Sequence, residues 1–493
     1  MLTLGLAFLV LGIIGLALGA VRRVWPAAMP WRRILLVELG VLAAWLVGGN
    51  VLATWREGQA ERAWAATLPK AVPPVQATSV GPNAAGLELV KLASGMGIHL
   101  GRARGQAAAS PGPDPASQSG MAKLSSFVDS TSRQMDDVLT AAPTELLAWL
   151  ILEDEASRAV EKHLLEGGPI DWGGPADDDG VAYSPFQTMK LHAVVVTTAL
   201  ERMRAGDPAG AATALQAAST LTASLRDRPD TFGRLLALSQ DRRLLGALRI
   251  LDPVSPGWES LVDEIDDHTR PLGALSSETL ELLAEARKPF TTIRGLIFEM
   301  DAAAPIGEGP RRWLSGLWLT LSGGHVPLEG RVDEAAAERR RTSTPFHRYV
   351  QGPLEKPYLR LVVADHAMAQ AQDATAAGGS DACGLEPPQP AARRAPWSLF
   401  GETASSFIPR LARSTAALRV ELELTRLVLR ARSLRALSPK REWPAQLPGA
   451  ADSRACPGRR FVSVVEAGHA QIRLEPNGFG EKEATVSFRM AGR

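Results

Sequence analysis

The chain has 493 residues, with 54 basic against 53 acidic side chains and a formal net charge of +1. That balance argues against a nucleic-acid protein, which concentrates basic charge on one face. A hydrophobic share of 45% argues against wholesale disorder, and the length suits about two to four domains.

The first expected elements are membrane helices. Leu2 to Val21 carries no charge over 20 residues, and at ~1.5 Å per residue it matches the ~30 Å of a bilayer core. Ile34 to Thr54 is a second apolar run, with Glu38 and Asn50 near its ends. A signal peptide would place positive charge before its apolar stretch, and none precedes Leu2. Residues 1–57 are therefore predicted to form a transmembrane helical hairpin whose turn is "RRVWPAAMPWRR", residues 22–33. Trp25, Trp31 and Trp55 fall where an aromatic belt belongs. Arg22, Arg23, Arg32 and Arg33 determine the topology: by the positive-inside rule the turn is cytoplasmic and the bulk of the chain extracytoplasmic. Gly15 and Gly19 form a GxxxG, read as packing between the two arms.

Residues 58–120 read as a linker, a first helix and a disordered loop, the loop being the Pro/Gly/Ser-rich 105–120. A paired-helix domain is expected over 121–370. Leu124, Val128, Thr131, Met135 and Val138 step along one helix face, which Pro143 ends, and Thr144 caps the next helix. Phe186, Met189, Ala193, Val196, Leu200 and Met203 form another stripe. "GDP" then stops that helix at Gly206 and restarts with Asp207 as N-cap and Pro208 in the first turn. Ala211, Leu215, Ala218 and Leu225 line the second helix, and a third begins near Thr231. Short turns between long amphipathic helices imply antiparallel neighbours. The turn is TPR-like, although no second copy follows at 34 residues. "RRWLSGLWLTLSGG" (311–324) is too short to span a bilayer and reads as a buried helix.

Residues 371–397 form a flexible loop containing Cys383. A long helix over 398–435 carries Leu418, Leu422, Thr425 and Leu429 on its apolar stripe and Arg410, Arg413, Arg419, Arg426 and Arg430 on a solvated face. A small β module at 436–493 is built from "RFVSVV", "HAQIRLEP" and "ATVSFRM". The fold class expected is mainly α: a transmembrane hairpin, an antiparallel helical body of TPR-like or α-solenoid-like character, and a small antiparallel sheet.

The chemistry is sparse. HExxH, GxSxG, SxxK, Walker A and GxGxxG motifs are all absent, so no catalytic residue, metal ligand or cofactor is assigned. Glu259, Asp263, Asp266 and Asp267 lie at i, i+4, i+7 and i+8 with His268 adjacent. They form a solvated acidic face or, alternatively, the metal site of a hydrolase. Asp171 and Asp177, Asp178 and Asp179 read as turn chemistry, and His192 as a packed core histidine. Cys383 and Cys456 are the two cysteines. In an extracytoplasmic domain they are candidates for a disulfide, worth ~4 kcal/mol for a loop of roughly seventy residues.

"PNAAGLELV", "GGPIDWGG", "AGDPAGAATALQAASTL", "RPDTFGRLLALSQDRRLLGALRILD" and "EWPAQLPG", in that order, resemble a group of uncharacterised, membrane-anchored, mostly helical bacterial envelope proteins. The resemblance covers about residues 80–475 loosely. It implies an inner-membrane anchor with a periplasmic body, and it supplies no activity or site residue. The expected role is a membrane-anchored scaffold with a protein partner, an accessory subunit of a larger envelope or membrane assembly. The alternatives are a metal-assisted hydrolase at 259–268 and a ligand-binding sensor domain.

Overall fold

The computed structural model describes residues 31–67, 82–103, 115–173, 181–226, 228, 231–252, 257–265, 270–287, 352–379, 407–438, 442–443, 452–466, 468–475 and 486–491. The first apolar run, Arg22, Arg23, the 311–324 segment, Cys383, Asp177 to Asp179, Asp266, Asp267 and His268 all lie outside them. The described chain is mainly helical with a small C-terminal antiparallel sheet. It divides into two units. The first is residues 1–71, 276–378 and 387–410; the second is 72–275, 379–386 and 411–493.

Helix α1 (Trp31–Thr67) opens the first unit. Among the described residues one helix is long and apolar enough to cross a membrane, Leu35–Thr67, with hydropathy 1.9. The second of the two expected membrane helices is thus a helix long and apolar enough to span, while the first lies outside the described residues. The expected boundary at residue 57 is corrected: α1 continues through "REGQAERAWAAT" to Thr67. These are mostly good helix formers, and Pro69 follows two residues beyond. The two parts of α1 differ in what covers them. Leu35, Leu36, Val37, Leu39, Val47, Val51, Leu52 and Trp55 are exposed. Gly49, Ala53, Glu57, Ala60 and Trp64 are buried at helical spacing, so one face of the later part is docked.

The docking partners are α10 (Arg270–Arg287) and α11 (Gly352–Gly379). Ala60 shares a core with Leu283 and Ala286 of α10 and with Tyr358, Val363 and Ala367 of α11. Contacts between α1 and α11 advance together along both helices. Gly49 lies against Pro357, Arg360 bonds Asn50 and Glu57, and Thr67 bonds Thr375 and the carbonyl of Ala371. The two therefore run parallel. Helix α10 runs the other way against α11: Thr279 donates to Gln370, and Lys356 donates to the Arg287 carbonyl. Asn50, near the end of the apolar run, accepts from Arg360 at 2.9 Å.

The second unit holds α2 (Ala84–Gly95), α3 (Pro115–Ser132), α4 (Thr144–Leu152), α5 (Asp154–Glu166), α6 (Pro185–Arg204), α7 (Pro208–Arg226), α8 (Thr231–Ile250) and α9 (Trp258–Glu264). It also takes α12 (Phe407–Leu437) from Leu411 onward. Helix α6 is buried on every side over Leu191–Thr197. Of its predicted stripe, Ala193, Val196, Leu200 and Met203 are buried, whereas Phe186 is exposed. The "GDP" turn folds as expected. Gly206 adopts φ 84°, Asp207 N–H reaches the Arg202 carbonyl and Gly206 N–H that of Met203, which closes a Schellman motif. Asp207 Oδ1 then accepts the Gly210 N–H at 2.8 Å as the N-cap of α7.

Other boundaries differ from the sequence pattern. Helix α11 runs on to Gly379, into the expected flexible loop 371–397. Helix α3 begins at Pro115, inside the expected disordered loop, and ends at Ser132, before Met135 and Val138. Beyond it the chain is drawn into sheet-like pairing: Arg489 N–H donates to the Met135 carbonyl, and Asp137 N–H to that of Arg489. Tertiary pairing here overrides the helical period, and both Met135 and Val138 are exposed. The expected continuous helix from Thr144 breaks at Glu153 into α4 and α5. A short pair, β1 (Gly101–Ala103) with β2 (Val181–Tyr183), has no counterpart in the sequence expectations.

The C-terminal strands fall where expected: β3 (Arg460–Glu466), β4 (His469–Glu475) and β5 (Ser487–Met490), in the order β3-β4-β5. Phe461, Ala470, Ile472, Leu474, Phe488 and Met490 pack with Val420, Leu424, Val428 and Ala431 of α12. Helix α12 therefore buries two faces, the predicted Leu418–Leu422–Leu429 stripe and this second one. Arg419 and Arg430 lie on its solvated side, as expected. Arg432 and Arg435 do not: both are buried, Arg432 donating to the Leu251 carbonyl and Arg435 lying over the Trp443 ring.

An arginine-lined cavity as candidate functional site

Helix α8 carries Arg242, Gly246 and Arg249 at i, i+4 and i+7, on one face. Gly246 is where that face meets the end of α3. A Cβ added there would lie 2.5 Å from both Ser132 Cα and Ser132 O, so only glycine permits the approach. The approach brings the C-terminal carbonyls of α3 to the arginines. Arg249 Nη2 donates to the Ser132 carbonyl at 3.3 Å, at a helix end that favours cations.

A cavity of about 470 Å³ opens here between α3, α8, α12 and β5. Arg133, Arg242, Arg243 and Arg249 line it against two carboxylates, Asp129 and Glu421. Four guanidinium groups facing two carboxylates leave a formal excess of two positive charges. Arg243 donates to Asp129 at 2.8 Å and Arg242 to Glu421 at 2.9 Å. Arg249 Nη1 reaches Thr425 Oγ1 at 3.1 Å, and its Nη2 lies 3.5 Å from Glu421 Oε2. Arg249 is 5% exposed, and its Nε is buried with no hydrogen-bond partner. Burial pushes its pKa down, with the charge of Glu421 opposing that shift. Arg133 is exposed and makes no ion pair among the described residues. Ser239, Ser414 and Ser487 add hydroxyls to the wall, and Val420, Leu424 and Val486 an apolar side.

His192 of α6 is fully buried, with neither ring nitrogen hydrogen-bonded. Burial, then the charges of Arg243 and Arg226, hold its pKa well below the ordinary value. It is the packed neutral histidine its sequence setting suggests.

The sequence-derived site residues are not gathered here. Glu259 and Asp263 of α9 are exposed, and Asp263 pairs with Arg426 at 3.0 Å. Glu264 turns the other way and accepts from Ser219. Among the described residues no group of three or more His, Cys, Asp or Glu could hold a metal ion. Asp171 accepts the Gly173 N–H at 2.8 Å, a turn role as expected. Arg32 and Arg33 begin α1. Cys456 is 0% exposed, packed against the sheet, and is not a free thiol. It is the one cysteine among the described residues, so no disulfide joins two of them.

The arginines of "QDRRLLGALR" carry no motif. Their signal is a glycine in mid-helix between two arginines on one face, in a stretch too apolar to leave that face in solvent. No family model, curated protein or solved structure matches this chain.

Proposed function

We propose that this protein is a membrane-anchored helical interaction protein of the bacterial envelope, with the apolar part of α1 in the inner membrane and the bulk of the chain on the periplasmic side. The observation that carries this reading is the division within α1. Its exposed apolar residues run from Leu35 to Trp55, about 30 Å of helix, while from Gly49 onward a second, buried face, ion-paired at Glu57, docks it on α10 and α11. The anchor is thereby part of a folded body, as an accessory subunit of a membrane assembly requires. The first hairpin arm, the TPR-like character of α6 and α7, and a Cys383–Cys456 disulfide belong to the same proposal. Burial of Cys456 as a non-free thiol supports the last.

Reporter fusions test it. A fusion at residue 28 is expected to read cytoplasmic and one at residue 110 periplasmic, and crosslinking in native membranes is expected to recover a stoichiometric partner. The reverse reporter pattern overturns the reading. A second reading, a ligand-binding sensor domain, is favoured by the arginine-lined cavity. The hydrolase alternative gains no support among the described residues, where Glu259 and Asp263 are exposed and Asp263 pairs with Arg426.

A further inference from the structure

We propose that the cavity between α3, α8, α12 and β5 binds a small organic dianion through Arg133, Arg242 and Arg249. The proposal rests on the ligand-binding reading and names the ligand's chemistry. Charge comes first: the lining has two more guanidinium groups than carboxylates. Like charges gathered around one hollow repel, and a ligand of charge −2 removes that repulsion. The second observation is the rim. Arg133 is exposed and unpaired among the described residues, so its planar fork is available to a carboxylate or phosphoryl group.

The wall limits the class further. Val420, Leu424 and Val486 offer a carbon skeleton a dry side, while Ser239, Ser414 and Ser487 offer hydrogen bonds. About 470 Å³ is the size of a small-metabolite site. Dicarboxylates and phosphate monoesters share the chemistry required: two negative charges on a short body. Asp129 and Glu421 keep their own arginine partners, so they orient the guanidiniums and disfavour larger polyanions.

The test uses the full-length chain in detergent micelles, titrated with succinate, glycerol 3-phosphate and uncharged glycerol, by calorimetry and thermal shift. Saturable binding of succinate or of glycerol 3-phosphate is expected, weakened by salt, with glycerol silent; whichever anion binds identifies the source of the charge. Arg133→Ala carries no structural ion pair and should fold normally, yet lose at least about tenfold in affinity, the value of one charge-assisted hydrogen bond. Ser414→Phe fills the cavity from α12 and should abolish binding without touching an arginine. If neither anion binds, or both variants bind as the parent does, the proposal is overturned. Because the reporter fusions do not depend on the cavity, that failure leaves the membrane-anchor reading untouched. A wrong topology, in turn, leaves the titration untouched.

Discussion

Arg360 donates to both carboxylate oxygens of Glu57, Nε to Oε1 and Nη2 to Oε2, each at 2.7 Å. Arg287 adds a third bond from α10, Nε to Oε2 at 3.0 Å. Glu57 is fully buried, so its charge depends on these two guanidiniums, with the Lys356 ammonium nearby adding to them. Removing one member of a buried pair leaves the others uncompensated, at about 3–5 kcal/mol. Glu57→Gln is therefore expected to destabilise the first unit by about 3 kcal/mol, seen as a lower unfolding temperature in micelles. Arg287→Ala, at a half-exposed side chain, should cost well under half of that.

Gly246→Ala tests the crossing of α8 and α3. In a free helix the change would gain ~1 kcal/mol. Here the new methyl meets the Ser132 backbone at 2.5 Å, and overpacking against backbone costs about 1–3 kcal/mol. The expected outcome is a net loss of stability in urea unfolding, together with weaker dianion binding because Ser132 and Arg249 move apart.

His192 makes stability depend on pH. Its pKa is depressed in the folded state, by burial first and by Arg243 and Arg226 next. The unfolded chain therefore takes up a proton below the ordinary value of about 6.5 while the folded chain does not. Its contribution is intact above pH 6.5 and is lost as the pH falls below it, at up to ~1.4 kcal/mol per pH unit. His192→Phe should flatten the difference in unfolding free energy between pH 7 and pH 5.5, measured against the parent.

Asp263→Asn should be nearly silent. The Asp263–Arg426 pair is exposed on both sides, and such pairs contribute about 0–1 kcal/mol. A zinc or calcium titration that responded to this substitution would reinstate the acidic cluster as a site.

Local patterns were legible wherever the chemistry was local. The Gly206–Asp207–Pro208 turn and the three C-terminal strands follow from residues within a few positions of each other, and they stand as expected. What failed depended on partners distant in sequence. Met135 left the helical period because Arg489 captured its carbonyl. Nothing near Asn50 in the sequence announces its partner Arg360, 310 positions away. The cavity was hidden for the same reason. Arg242 and Arg249 acquire meaning only when α3, α12 and β5 close around them, whereas the regular Glu259–Asp263 spacing led to an exposed face with an ion pair to Arg426.

The parallel run of α1 and α11 has a geographic consequence. Because α10 is antiparallel to α11, Arg287 at the end of one helix and Lys356 near the start of the other are neighbours, joined by a hydrogen bond. Both stand beside Glu57, at the threshold where α1 passes from its exposed apolar stretch to its docked face. The chain thus leaves α10 and rejoins α11 on the same shoreline. Any insertion or tag placed between those two helices is moored, at both ends, next to α1.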